Sequence, residues 1–408
     1  MAKKNNIVVG LDIGTSKVCA VVGEWTDQGT EIIGVGSHAS QGLRKGVVIN
    51  IESTTAAVAK AVEEAELMAG CEIHTVFTGI AGSHIKSFNS HGIVALKNRE
   101  VRPRDLDRVL DAARAVAIPM DQEVLHILPQ HYIIDDQDGI KEPLGMSGVR
   151  LEARVHIVTG AATVAQNIVK CCNRSRLNVA EIVLAPLASA DAVLNAEERE
   201  LGVAVVDMGS GTTDIAVFHD GTVKHTAVLP VGGNHVTNDI ATGLRTPFAD
   251  AERIKLRHGM ARGVMARHEE RVEVPSAAGK AARTVSRQIL CEIIEPRMDE
   301  VFQLVRREIA RSGYEEFLSA GVVLTGGAAL LPGAVEMAEQ VMGMPVRLGV
   351  PGHVSGLVDV ISTPAYATGV GLVLYGLRRH DRGASAVQDH NLLAKVKHRM
   401  SDWLSEFF

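Results

Sequence analysis

The chain has 408 residues, a formal net charge of −6 and only 3% aromatic side chains. That length exceeds what one hydrophobic core usually fills, so two or three domains are expected, and the lack of a basic excess argues against nucleic acid as a partner. The five cysteines (Cys19, Cys71, Cys171, Cys172 and Cys291) contain no C-x-x-C pair, no signal peptide opens the chain and no run of about 18 apolar residues occurs, so zinc, a disulfide framework and a membrane span are set aside and a cytosolic protein is expected.

The first elements lie in IVVGLDIGTSKVCAVVGEW, residues 7–25, which predicts a strand over Ile7–Leu11, a turn loosened by Gly10 and Gly14, and a second strand over Val18–Val22. RPRDLDRVLDAARAVAI, 102–118, has helical spacing, and VLHILPQHYIID, 124–135, is strand-like. LGVAVVDMGSGTTDIAVFHDG, 201–221, then repeats the opening pattern: strand Val203–Val206, turn Asp207–Asp214, strand Ile215–Phe218. The repeat is an internal duplication at domain scale. VVLTGGAALLPGAVEMAEQVMGMPVRLGVP, 322–351, predicts a strand over Val322–Thr325, a Gly326-Gly327 turn, a helix over Ala334–Met342 and a strand over Pro345–Leu348.

An acid, glycines and hydroxyl residues at a hairpin tip let backbone N–H groups approach a polyphosphate, while the carboxylate holds a hydrated divalent cation. The competing reading is two ordinary hairpin turns, since Asp and Gly are common turn formers; duplication favours the first. A strand–Gly-Gly–helix turn gives a flat ring or sugar bare backbone to lie on, although it is also a plain loop. No G-x-x-x-x-G-K-[ST] or H-E-x-x-H occurs, which removes P-loop and zincin chemistry.

These residues resemble the actin-like ATPase superfamily and, within it, the FtsA family of bacterial cell-division proteins, through GLDIGTSKV (10–18), LGVAVVDMGSGTTDIAVF (201–218), VTNDIATGLRTPFADAERIKLRHG (236–259), IIEPR (293–297) and VVLTGGAALLPG (322–333). The resemblance implies an α/β, two-lobed actin-like (ribonuclease H-like, duplicated) fold with ATP between the lobes. Asp12, Gly14, Thr15, Ser16 and Lys17 would form one phosphate loop, and Asp207, Gly209, Gly211, Thr212, Thr213 and Asp214 the other. Gly232, Gly233 and Asn234 would lie near the phosphates, and Gly326, Gly327 and Ala328 would flank the adenosine. Glu252 and Lys255, a helical turn apart, would approach base or ribose, unless they form only a solvated ion pair. Asp12 and Asp207 would hold Mg2+ through water. By the same pattern residues 1–83 and 163–195 form the first lobe, 84–162 a small inserted domain, 196–233 and 305–378 the second lobe, and 234–304 a subdomain over the nucleotide; 379–390 read as a polar linker.

In hydrolysing relatives of the superfamily a Glu or Gln on the link between the lobes orients the attacking water. Here the link reads VLAPLASADAVL, 183–194, with Ala185 at the water-orienting position and Asp191 as its one carboxylate. Weak or absent turnover is therefore expected, with Asp207 and Asp214 supporting slow hydrolysis at best.

Residues 391–408, NLLAKVKHRMSDWLSEFF, set on a helix, bring Leu392, Leu393, Val396, Met400, Trp403, Leu404, Phe407 and Phe408 to one face, with Lys397 and Arg399 at its edges. This predicts a membrane-targeting helix lying in the interface, against the alternative of a helix docked on the protein's own core. Ordering the tail nearly offsets its insertion, so one tail binds weakly and a filament presenting many supplies avidity. The resemblance implies a peripheral protein at the division site, on the cytoplasmic face of the inner membrane. It would self-associate into filaments, bind the FtsZ C-terminal peptide and recruit later division proteins through the inserted domain. Arg283, Arg287 and Arg297 are the candidate FtsZ contacts, or else a solvated helix face. Rival readings are a sugar-type kinase of the same fold, a chaperone ATPase and a pilus-assembly platform protein.

Overall fold

The opening apolar run folds as an antiparallel meander, β1 (Ile7–Ile13), β2 (Lys17–Thr26) and β3 (Gly29–Ala39). Two short strands, β4 (Leu43–Arg44) and β5 (Val47–Val48), lead to helix α1 (Ile51–Ala69) and β6 (Thr75–Ile80), which pairs in parallel with β1. α1 starts where the Asn50 side chain accepts the Ser53 N–H at 2.9 Å, a side-chain cap on the first turn. The computed structural model describes residues 6–27, 29–265, 269–276 and 281–386, with side chains to residue 379.

A second sheet follows, built from β7 (Lys86–Ala95), helix α2 (Pro103–Arg114), β8 (Gln122–Ile134), β9 (Gln137–Ile140) and β10 (Arg150–Ala161) in the order β7-β10-β8-β9. It has its own core, in which Val109 and Ala113 of α2 meet Leu151, Val155 and Ile157 of β10. The chain then returns to the first sheet through α3 (Ala162–Arg174) and β11 (Asn178–Leu184), and leaves it along α4 (Ala185–Val193).

After the short helix α5 (Ala196–Leu201) the pattern begins again with β12 (Val203–Met208), β13 (Thr213–His219) and β14 (Thr222–Leu229). Helices α6 (Gly233–Gly243) and α7 (Phe248–His258), the ribbon β15 (Arg271–Val274) and β16 (Arg283–Ser286), and the long helix α8 (Arg287–Ser312) cover this unit. β17 (Val322–Thr325), α9 (Ala334–Met342), β18 (Val346–Leu348), β19 (Ser355–Gly356), α10 (Val358–Ile361) and α11 (Ala367–Ala386) complete the described chain. The first lobe's sheet runs β11-β6-β1-β2-β3-β19 and the second lobe's β18-β17-β12-β13-β14, and their five corresponding strands make matching parallel and antiparallel pairs, so the duplication holds in topology as well as in sequence. Every residue of β12 is buried, as a central strand covered on both faces requires.

The lobes are joined by α4 and α11, which lie against each other. Leu187, Ala190 and Val193 of α4 share a core with Val203, Val205 and Phe218 of the second lobe, and Val370, Val373 and Leu377 of α11 share it with Val8 and Val21 of the first. Small residues permit this approach: a Cβ on Gly371 would stand 1.8 Å from the Ala188 carbonyl oxygen. Two expectations change. Residues 355–378 do not all belong to the second lobe, because β19 pairs with β3 and α11 packs on β1, β2 and β6. Within the stretch read as a linker, 379–390, residues up to Ala386 are helical as the last part of α11, and no proline stands among them to stop it. Residues 391–408, with the candidate membrane side chains Leu392, Leu393, Val396, Lys397, Arg399, Met400, Trp403, Leu404, Phe407 and Phe408, lie outside the described residues. Among the described residues no helix is long and apolar enough to cross a membrane.

The inserted domain touches both lobes through buried and half-buried polar groups. Ser87 Oγ donates to the Thr226 carbonyl at 2.8 Å, Gln130 Nε2 to that of Val223 at 2.9 Å, and His156 Nε2 meets Thr226 Oγ1 at 2.9 Å, all on edge strand β14. On the other side His126 Nε2 accepts the Leu184 N–H at 2.9 Å, at the start of α4.

Candidate nucleotide site

The two hairpins close in the same way. Gly14 N–H donates to the Lys17 carbonyl at 3.0 Å and Gly209 N–H to the Thr212 carbonyl at 2.9 Å, so each acid stands two residues before the glycine that starts the turn. Asp12 pairs across its hairpin with Cys19, and Asp207 with Asp214. The tips touch: a Cβ on Gly211 would lie 2.6 Å from Thr15 Oγ1, and that hydroxyl accepts the Gly46 N–H at 3.0 Å.

Between the lobes the hairpins bound a cavity of about 590 Å³, within the usual range for small-molecule sites. Of the residues expected there, Asp12, Gly14, Thr15, Ser16, Lys17, Asp207, Gly209, Gly211, Thr212, Asp214, Gly233, Glu252, Lys255, Gly326, Gly327 and Ala328 line it. Thr213, Gly232 and Asn234 do not. Thr213 lies on the opposite face of β13 from Thr212 and Asp214, where its hydroxyl donates to the Val231 carbonyl at 2.8 Å. Gly232 and Asn234 back the second hairpin: Asn234 N–H donates to the Ser210 carbonyl at 2.8 Å, and a Cβ on Gly232 would press on the Gly209 carbonyl at 2.5 Å.

Three carboxyl groups converge on the hairpin end. Burial pushes Asp12 up to about 6, with the Lys17 ammonium opposing and the Asp207 charge reinforcing. Burial also raises Asp207, against the hydrogen bonds from Ser189 and Thr368. Asp214 is raised furthest, by burial and then by Asp207, although Thr212 Oγ1 donates to its Oδ2 at 2.9 Å. Asp214 Oδ1 is buried without a hydrogen-bond partner. Buried acids short of counter-charge, one with an orphaned oxygen, fit a cation. Among the described residues no three His, Cys, Asp or Glu side chains stand close enough together to cage a metal by themselves. The Lys17 ammonium stands 3.7 Å from the centre of the Tyr366 ring.

Beside Asp207, Gly326 follows β17 with φ 84° and ψ 163°, a conformation essentially confined to glycine, and a Cβ there would meet Asp207 Oδ1 at 2.3 Å. Glu252 and Lys255 line the cavity and are also an ion pair, at 2.8 Å; Lys255 Nζ further donates to Thr237 Oγ1 at 2.8 Å and the Gly233 carbonyl at 3.1 Å. The intrahelical ion pair is thus present, partly buried rather than solvated, with both members in the cavity wall. Sequence reasoning missed the apolar wall of Val236, Leu256, Met298 and Leu331, the backbone at Gly79–Ala81, and Thr368. Only T-G-I-A-G, residues 78–82 at the end of β6, carried a local signal, a second strand ending on glycines.

Ala185 opens α4 and lines the cavity with a methyl group. Asp191, the link's one acid, is spoken for: Arg199 Nη2 donates to Oδ1 at 2.9 Å and Arg378 pairs with Oδ2. The three candidate partner arginines also have intramolecular bonds. Arg283 donates to the Leu244 carbonyl at 2.5 Å, Arg287 to that of His258 at 2.8 Å and to Glu270, and Arg297 to Asp239 at 2.6 Å and to Glu300.

The family model for Cell division protein FtsA matches residues 204–371, and that for the SHS2 domain inserted in FtsA matches residues 82–159. The chain is 54% identical over 413 residues to Cell division protein FtsA of Pseudomonas aeruginosa, covering 100% of this chain and 99% of the relative. It is 44% identical over 418 residues to that of Escherichia coli K12, again covering 100% and 99%. Among solved structures it is similar to the PilM-PilN type IV pilus biogenesis complex, with TM-score 0.64, 17% identity and 90% and 98% coverage. It is also similar to MreB5 of Spiroplasma citri bound to ADP, with TM-score 0.53, 13% identity and 95% and 99% coverage. The likenesses to solved structures establish an actin-like ATPase fold, and the full-length identity establishes the rest: the chain belongs to the FtsA family of cell-division proteins.

Proposed function

We propose that this chain binds ATP with Mg2+ between its lobes, turns it over slowly if at all, and uses the bound nucleotide as an assembly ligand for filaments on the cytoplasmic face of the inner membrane. The observation that carries this reading is the pair of matched hairpins facing one cavity, with the buried Asp207 and Asp214, the half-buried Asp12 and Lys17 at its phosphate end and an apolar wall at the other. Backbone N–H groups and the hydroxyls of Thr15, Ser16 and Thr212 would take the phosphates, Lys17 would add charge, and Leu256, Met298 and Leu331 would exclude water from the base. Bound Mg2+ would neutralise phosphate charge. Slow turnover is supported by the methyl group of Ala185 where a water-orienting side chain is required, and by the engagement of Asp191 with two arginines.

Family membership supports the remaining roles: attachment through residues 391–408, tethering of the FtsZ C-terminal peptide, and recruitment of later division proteins through the inserted domain. Arg283, Arg287 and Arg297 would have to exchange intramolecular partners to serve as FtsZ contacts.

Nucleotide titration of the purified chain, followed by single-turnover hydrolysis, tests the first part; turnover well above about one per second would refute the role of Ala185. Co-sedimentation with anionic liposomes, for the intact chain and for one ending at His390, with and without ATP, tests the second. The intact chain should pellet more with ATP, and the shortened chain should stay in solution.

A further inference from the structure

Asp207 is gripped from both sides of the hinge. Its Oδ2 accepts Ser189 Oγ from α4 at 2.5 Å and Thr368 Oγ1 from α11 at 3.0 Å, and the two hydroxyls are themselves 3.0 Å apart. Ser189 is completely buried, and Thr368 reaches the cavity wall. None of the hydrogen bonds on Asp207 falls on Oδ1, which lies against Gly326 in the wall of the same cavity. A single carboxylate thus has one oxygen committed to the two helices that join the lobes and the other free of those hydrogen bonds, beside Gly326.

We propose that Ser189 and Thr368 are positioning residues for nucleotide binding: by holding Oδ2 they fix the rotation of the Asp207 carboxylate and keep Oδ1 turned to the phosphate end of the cavity. The proposal rests on the ATP reading given above. The need for such a grip follows from the surroundings. Asp207 stands among Asp12, Asp214 and Lys17, so without fixed donors its orientation would be set by these neighbours. Two hydroxyls at fixed positions on rigid helices remove that freedom before the ligand binds, which is where preorganisation contributes to affinity. The donors come from segments 179 residues apart, so the grip exists only when both helices are seated.

The test is equilibrium binding of ATP with Mg2+, and separately of adenosine, to the full chain and to Thr368→Val, Thr368→Ser and Ser189→Ala. Thr368→Val keeps the side-chain shape and removes the donor, Thr368→Ser keeps the donor, and Ser189→Ala removes the donor on the other helix. A hydrogen bond to a charged group predicts that Thr368→Val and Ser189→Ala each lose roughly tenfold or more in ATP affinity, while Thr368→Ser stays within about twofold. Adenosine, which lacks the phosphates, should bind all four proteins alike. Unchanged ATP affinity in Thr368→Val and Ser189→Ala overturns the proposal. So does a parallel loss for ATP and adenosine, because loosened hinge packing would weaken both. Should one variant fail to fold, the other decides, since they sit on different helices. Failure of the unaltered chain to bind ATP would end the nucleotide reading itself and is distinguishable at the first titration.

Discussion

Gly326 should be among the least replaceable residues of the cleft, and Gly326→Ala is the substitution that measures it. Its backbone, at φ 84° and ψ 163°, lies in a region that costs any other residue about 1–3 kcal/mol. The added methyl would stand 2.3 Å from Asp207 Oδ1 and 2.6 Å from the Met208 carbonyl oxygen, and relieving such overpacking costs about another 1–3 kcal/mol. The sum, roughly 2–6 kcal/mol, is a large fraction of a typical domain's stability. Two controls separate the contributions. Gly327→Ala adds a methyl where nothing lies within 4 Å and no positive φ is required, so it should stay within about 0.5 kcal/mol of the unaltered chain. Gly343→Ala adds one in open space at φ 70°, so it should show the backbone cost alone, about 1 kcal/mol. Urea unfolding followed by circular dichroism reads the stabilities, and an ATP titration reads the site, where displacement of Asp207 should weaken binding as well. Equal stability of Gly326→Ala and Gly327→Ala, with unaltered ATP affinity, would refute the reasoning.

Ala185→Glu restores a carboxylate at the head of α4, and ATP turnover measured by phosphate release should rise by about tenfold or more if a missing water-orienting group is what limits it. Burial holds His126 at about 4, below an unfolded value near 6.5. The unfolded chain therefore binds more protons between those values, and the stability owed to the neutral ring is complete above pH 6.5 and is lost as pH falls towards 4. Between pH 7 and 4 the unaltered chain should lose on the order of 3 kcal/mol more than His126→Gln, which does not titrate. His156→Ala and Thr226→Val should each cost about 1–3 kcal/mol and together less than their sum, because each leaves the same buried contact of the inserted domain unmade. Full additivity in that double-mutant cycle would remove the contact as the docking element.

Legibility in the sequence followed the range over which each feature is determined. The hairpins and the 322–351 unit were readable because Asp and Gly punctuate β-rich runs at short distance, and the helix over Ala334–Met342 and the strand over Val322–Thr325 appear at the expected residues. Thr213 was placed in the site by its neighbours in the motif, although strand alternation already turns it from the face of Thr212 and Asp214. The grip of Ser189 and Thr368 on Asp207 had no local signal, since nothing in either helix marks its hydroxyl. The seat of α11 left a fainter trace: Gly369, Gly371 and Gly376 are unusual within one helix, and a Cβ on any of them would press on Val21, Ala188 or Phe77. Glycines repeated in an otherwise apolar helix mark close packing against another element, which for α11 is α4 and the first lobe's sheet.

The duplication matches five strands of each lobe's sheet and is broken in chemistry, and the break assigns the two hairpins different work. Across from Asp207 stands a second acid, Asp214; across from Asp12, at the same place in the register, stands Cys19. Burial pushes that thiol up to about 12, so it remains neutral and adds no charge to the first hairpin. The first hairpin therefore offers one acid beside Lys17, a nearly balanced pair, whereas the second offers two acids and no cation of its own. A phosphate chain laid across both would meet its positive partner on the first side and would need a supplied cation on the second. Cys19→Asp, which restores the symmetry, should for that reason weaken ATP binding by setting a second acid beside Lys17, and a variant that bound ATP more tightly would show that the asymmetry is not what the site uses.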